Sequence, residues 1–282
     1  MTNPIKEPLD NFFNRITALG GLLHVIKSQS EIALATLKRY ESDNQQTLPP
    51  IWHVSRIPLE DIGDIPDDCW RRWHATEHAF RIRRGEVQEA YADILEQINL
   101  LVVSQAYEAY ETFLLDSVAC LHHAKPDTVH KKEQEKWSKK CGPLSTKEQY
   151  RRYVRYTYRG KNNSDLLSWI RELAPQVEKI ERHNTLTMNL RDWFEVVSEV
   201  RHAATHSCGV VKAERVHKFS RQKKTVLRSL FPGVDGSDRC YVLHLDTKSA
   251  ERALETFHNY AYAIHKSLSI QYGFLPAYAT ST

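Results

Sequence analysis

The residues best suited to chemistry lie together near the two-thirds point of the chain: Arg201, His202 and His206. Arginine is a permanent cation with a planar fork that suits phosphate, and histidine exchanges a proton near neutral pH, so this trio fits proton transfer at a phosphate. One element must carry all three. Leu190, Trp193, Phe194, Val197, Val200 and Ala204 recur at three- and four-residue steps, the mark of an amphipathic helix with one buried face. Gly209 supplies a stop signal, which places the cluster at the open end of that helix. Arg201 and His206 are five residues apart, about 140° around an ideal helix, and do not share a face. A single chain would need a distorted helix or a long reach, whereas a second copy across a two-fold axis brings the missing half. His202 and His206 are four apart and do share a face, the spacing of two imidazoles on one metal.

Arg201-x4-His206, with a polar residue directly after the arginine, resembles the R-x4-6-H signature of HEPN-domain proteins. An earlier run from Ser104 to Leu115, which carries Tyr107, Glu108, Tyr110, Glu111 and Phe113, is similar to the aromatic and acidic first helix of that family. The resemblance covers about Glu86 to Leu268, with long insertions between the core helices. It implies an all-α helical bundle that dimerises, with paired Arg-His motifs forming a metal-independent endoribonuclease site, often in toxin–antitoxin or phage-defence (antiviral) systems. On this chain Arg201 would clamp the phosphate and His206 would move protons, with His202 beside it and no cofactor. Glu108 and Glu111 lie on the polar flank of their helix, and a carboxylate there, Glu111 in particular, could orient Arg201 or a histidine if the two helices pack side by side. A solvated glutamate is the commoner outcome for such a residue. In toxins controlled by nucleotidyltransferase antitoxins a tyrosine follows the histidine by two positions; Cys208 stands there in this chain. Control would then come from an antitoxin or other regulatory partner that does not use that tyrosine.

The surrounding elements follow from periodicity. Leu9 to Tyr40 reads as a long helix interrupted near Gly20 and Gly21. Residues 44–68, with Pro49, Pro50, Pro58 and Pro66, read as an extended connector, and 69–84 as a helix with an apolar and a basic side. This divides the chain into a helical N-terminal extension with linker, residues 1–84, and a helical domain over 85–282. Helices are expected over about 86–123 and 189–207, two short ones either side of Pro175, and one over 247–272. A short strand or hairpin fits the alternation near 239–246. Ser145 to Glu148 has the spacing of a capping box and starts another helix.

That helix runs into the most basic stretch. Arg151, Arg152, Arg155, Arg159 and Lys161 alternate with Tyr150, Tyr153, Tyr156 and Tyr158 without one acid. Cations neutralise phosphates and aromatics stack on unpaired bases, as single-stranded RNA binding requires. Equally, the tyrosines could be core and the arginines its solvated edge. A second basic patch, with Lys212 and Arg215, follows the Arg-His motif.

Composition narrows the classes. The net charge of +4 is small, so RNA affinity must come from local clusters. No run approaches the ~20 apolar residues of a membrane span and the N-terminus lacks the order of a signal peptide, which points to the cytoplasm and no membrane partner. Five cysteines without C-x-x-C spacing argue against a disulfide framework and a structural zinc. Three readings of the cluster stay open: a ribonuclease at a homodimer interface; a non-catalytic HEPN-like module that binds RNA or protein, its Arg201 and histidines buried in salt bridges; and a metal site on His202 and His206, for which Cys208 is the one obvious third ligand.

Overall fold

The structure is a computed structural model that describes residues 3–43, 51–55, 59–60, 73–74, 80–83, 86–158, 163–207, 209–231, 235–236 and 239–278. Among these the protein is all-α, with ten α-helices and a few short strand pairs. The first helix, α1 (Lys6–Asp43), runs through Gly20 and Gly21 without the expected interruption. The second, α2 (Val87–Ala124), is equally long and carries the aromatic and acidic run. Then come α3 (Lys131–Cys141), α4 (Lys147–Tyr158), α5 (Asn163–Leu173) and α6 (Gln176–Arg182), the last two parted at Pro175 as the sequence suggests. The motif helix is α7 (Leu190–His206), followed by α8 (Ala213–His217), α9 (Arg221–Leu230) and the closing helix α10 (Thr247–Gln271). The capping box of α4 sits one residue later than expected. The Gln149 carboxamide accepts from the Ser145 and Thr146 backbone N–H groups, and the Thr146 hydroxyl accepts from the Gln149 N–H.

The chain divides into two compact units, one of Met1–His24 with Glu96–Thr282 and the other of Val25–Leu95. This differs from the boundary expected at residue 84, and the reason is apolar burial. Ile5, Leu9, Phe12, Ile16, Leu19 and Leu23 on the first half of α1 are all part of the main core. The start of the chain is therefore an integral helix of the bundle rather than an extension. In that core, aromatic rings from four helices meet. Tyr110 of α2 lies 5.4 Å from Phe194 of α7, 5.2 Å from Phe257 of α10 and 5.6 Å from Phe12 of α1. Each such ring buries a large apolar area and holds its neighbours in tilted or edge-on contact.

In the smaller unit, β1 (Ile51–Ser55) pairs antiparallel with β4 (Phe80–Arg83), and β2 (Leu59–Glu60) pairs with β3 (Trp73–His74). The expected connector and the expected basic helix over 69–84 are thus corrected where they are described. Phe80-Arg-Ile-Arg83 alternates with period two, which suits a strand as well as the mixture suited a helix face. In the main unit β5 (Val210–Lys212), β6 (Asp235–Gly236) and β7 (Cys240–Val242) form a small sheet in the order β5-β7-β6, and β7 is the short strand anticipated near 239–246.

Candidate functional site

The α7 helix starts at Asn189, whose side chain accepts from the backbone N–H groups of Arg191 and Asp192, each at 3.1 Å. Its apolar stripe is buried as expected: Leu190, Trp193, Phe194, Val197 and Val200 are at most 3% exposed. Tyr107 of α2 stacks on Phe194 at 4.9 Å and Trp193 meets Phe257 edge-on at 4.6 Å, so α7 is gripped from α2 and α10. At the far end the Ala203 carbonyl accepts from the N–H groups of both Ser207 and Gly209, at 2.9 and 3.0 Å. Gly209 has φ +83°, and a β-carbon there would lie 2.9 Å from Leu100 Cδ1. The left-handed backbone favours glycine, and any β-carbon there would also have to push the Leu100 side chain aside.

Packing against α2 gives Arg201 its partner. Its Nη2 donates to Glu108 Oε1 at 3.2 Å, with about a third of the arginine side chain exposed. Glu111, one turn along, is the carboxylate singled out from the sequence, and it does not take that bond. Burial pushes its carboxyl up, while Arg201 and the Tyr158 hydroxyl, 3.5 Å from Oε1, pull it back down. The result is one cation between two carboxylates, with a phenol behind the second. Arg201 Nε is buried and has no hydrogen-bond partner among the described residues.

His202 and His206 stack obliquely, ring centroids 4.9 Å apart. His202 is half-buried and His206 is exposed. Burial first, then the nearby Arg215, His206 and Arg201, hold His202 below its ordinary value of 6.5, against a small opposing pull from Glu199. At neutral pH its imidazole is therefore neutral and can accept a proton. Arg215 reaches this end of α7 from α8 by bonding Glu199 at 2.8 Å. Among the described residues no group of three or more His, Cys, Asp or Glu converges to hold a metal, and Cys208 lies outside them.

The expected RNA-binding residues divide. Tyr150 and Tyr153 are buried core, Tyr158 faces Glu111, and Tyr156 is 48% exposed. Asp116, an acid from α2 that the local sequence of α4 does not reveal, lies 3.4 Å from Arg151 and 3.8 Å from Arg155. Arg151 also approaches Glu7 at 3.6 Å, and Arg152 pairs with Glu148 on its own helix. Lys212 is exposed at the end of β5. Arg159 and Lys161 lie outside the described residues. Two contributors escaped sequence reasoning. Tyr158 reads there as a base-stacking residue and Asp116 is not singled out at all, and only the packing of α4 against α2 brings them to Glu111 and to Arg151. Comparison with family models, with curated proteins and with solved structures finds no match to this chain.

Proposed function

We propose that the protein is a metal-independent endoribonuclease of HEPN type, cutting single-stranded or loop RNA at a composite Arg-His site between two copies of the chain. The observation that carries this reading is the end of α7, where a guanidinium held at 3.2 Å by Glu108 stands within a turn and a half of two imidazoles 4.9 Å apart, one of them exposed. A neutral imidazole takes the proton of the ribose 2′-hydroxyl, and the 2′-oxygen attacks phosphorus. The bond from phosphorus to the 5′-oxygen breaks, and that oxygen takes a proton from a protonated imidazole. The products are a 2′,3′-cyclic phosphate and a 5′-hydroxyl. His206 is the proton-transfer group and Arg201 balances the charge that grows on the phosphate. A second copy supplies the second imidazole and guanidinium, because Arg201 and His206 of one chain lie on different faces. Arg152, Arg155, Lys212 and Arg215 offer exposed cations along the route of the RNA, since an exposed pair such as Arg152 with Glu148 is weak and readily exchanged for phosphate.

No described helix is long and apolar enough to cross a membrane, which fits an enzyme that meets RNA in the cytoplasm. A toxin–antitoxin or phage-defence setting, with a regulatory partner, suits such an activity. The test is incubation of the purified protein with total RNA in EDTA. Cleavage is expected, and Arg201→Ala or His206→Ala should lower it by roughly a hundredfold or more with folding intact, as loss of a proton-transfer group or phosphate clamp does. Cleavage by His206→Ala at the wild-type rate, or by a species that sediments as a monomer, would overturn the composite site. One observation favours a second reading, a non-catalytic RNA- or protein-binding module. Arg201, Arg151 and Arg155 all have carboxylate partners within the chain. RNA bound and left uncut by wild type would support it.

A further inference from the structure

A groove of about 1150 Å³, lined by none of Arg201, His202 or His206, is walled by the end of α2 and by α3, α4 and α5. His122 lines it with a fully buried ring. Its Nδ1 lies 2.6 Å from the Thr128 hydroxyl, and that hydroxyl gives its one hydrogen to the Lys125 carbonyl, also at 2.6 Å. A carbonyl can only accept, so Thr128 must receive a hydrogen from Nδ1, and His122 Nε2 is left with a bare lone pair. No described residue donates to that lone pair. A buried acceptor in this state is costly unless a donor from outside meets it.

The rest of the groove has the same polarity. Asp127, Glu133 and Glu172 line it and are exposed, and none of them makes an ion pair with a described residue. Lys136 is the one lysine or arginine among its lining residues. One aromatic face is open in it, that of Trp169, 5.4 Å from the His122 ring; the exposed Tyr156 beside it already carries the Lys140 ammonium, 5.9 Å from its ring centroid and 3.3 Å from its hydroxyl, so Lys136 and Lys140 stand against three carboxylates. Acceptors and a π-face with an excess of negative charge repel phosphate and attract flat, donor-rich cations. This surface is therefore not a continuation of an RNA path.

We propose that the groove binds a guanidinium group, which stacks on Trp169 and donates to His122 Nε2 and to the carboxylates of Glu133 and Glu172. The guanidinium is that of a free small molecule or of an arginine side chain on another protein. Planarity and five fixed N–H donors distinguish it from an ammonium, which is a point charge. The inference is independent of the ribonuclease reading.

Titration calorimetry on the full chain tests it with two probes, agmatine and a short peptide with a central arginine. Saturable binding is expected, weakened about tenfold by Glu133→Gln or Glu172→Gln, as loss of a charged hydrogen bond does. Both positions are exposed, so neither variant threatens the fold. His122→Phe, which keeps the ring and removes the acceptor, should weaken binding as well. Binding of agmatine as tight as that of the peptide assigns the site to a small molecule, and binding of the peptide alone assigns it to a protein. The proposal is overturned if neither probe binds, if both glutamate variants bind like wild type, or if spermidine binds as tightly as agmatine.

Discussion

Burial holds the His122 imidazole at about 4, far below its ordinary 6.5, and this sets a measurable acid sensitivity. Above about pH 6.5 the folded and unfolded chains carry the same neutral ring. As pH falls further, the unfolded chain takes up a proton that the folded chain refuses until about pH 4, so stability is lost steadily through that window and no further below it. One bound proton of difference costs about 1.4 kcal/mol per pH unit, which gives about 3 kcal/mol over the whole window and about 2 kcal/mol between about pH 7.5 and about pH 5. The assay is urea unfolding followed by tryptophan fluorescence at those two pH values, for wild type and for His122→Phe. His258 and His265 are also pushed down by burial and His202 in part by burial, so both proteins lose stability in acid. Their contributions cancel in the difference, and wild type should lose about 2 kcal/mol more than the variant between the two pH values. Equal losses would show that His122 takes its proton in the folded state near the ordinary value, and would refute the reasoning from burial.

Two further outcomes are expected. Gly209→Ala should cost about 1–3 kcal/mol in thermal or urea unfolding, because it combines a left-handed backbone with a β-carbon 2.9 Å from Leu100; a loss within ±0.5 kcal/mol would mean that this end of α7 is freely remodelled. Glu181 is 2% exposed, accepts from Arg171 at 2.7 and 3.1 Å and from the Tyr260 hydroxyl, and Glu181→Gln should destabilise by about 3–5 kcal/mol by leaving Arg171 uncompensated, whereas Arg171→Met with Glu181→Leu should recover much of it.

What the sequence discloses and what it hides follow one physical rule. Contacts within an element are written in local spacing. The stripe of α7, the break at Pro175 and the strand at Cys240–Val242 are read directly, because each depends on residues a few positions apart. Contacts between elements are not. The acid-free run of α4 looks unopposed until Asp116 arrives from α2, thirty-five residues earlier in the chain. Choosing between Glu108 and Glu111 as the partner of Arg201 needed the rotation of α2 against α7, which a pattern of apolar residues fixes to a face and not to a single turn. The strands at Trp73–His74 and Phe80–Arg83 were misread because aromatic residues interleaved with arginines satisfy a period of two nearly as well as one of 3.6.

Around the proposed site, the packing of α7 against α2 turns Arg201 toward one face of the helix, while His206, five residues on, lies on another. Arg201 lies toward α2 because Glu108 holds its guanidinium there, while His206 is exposed beside His202. The hold is weak enough to yield. With a third of the arginine side chain and 41% of the glutamate side chain exposed, the pair contributes at most about 1 kcal/mol, so a phosphate can share or replace the carboxylate at small cost. Glu108 therefore holds the guanidinium in a defined place without closing it to an incoming anion. The histidines are divided in a parallel way. His202 is held below its ordinary value by burial and by the cations around it, which suits it to accept a proton, and His206 is exposed. On the ribonuclease reading proposed above, Arg201 on one face and His206 on another would not grip one phosphodiester from a single α7, whereas two such helices meeting about a two-fold axis would bring the guanidinium of each chain to the imidazole of the other.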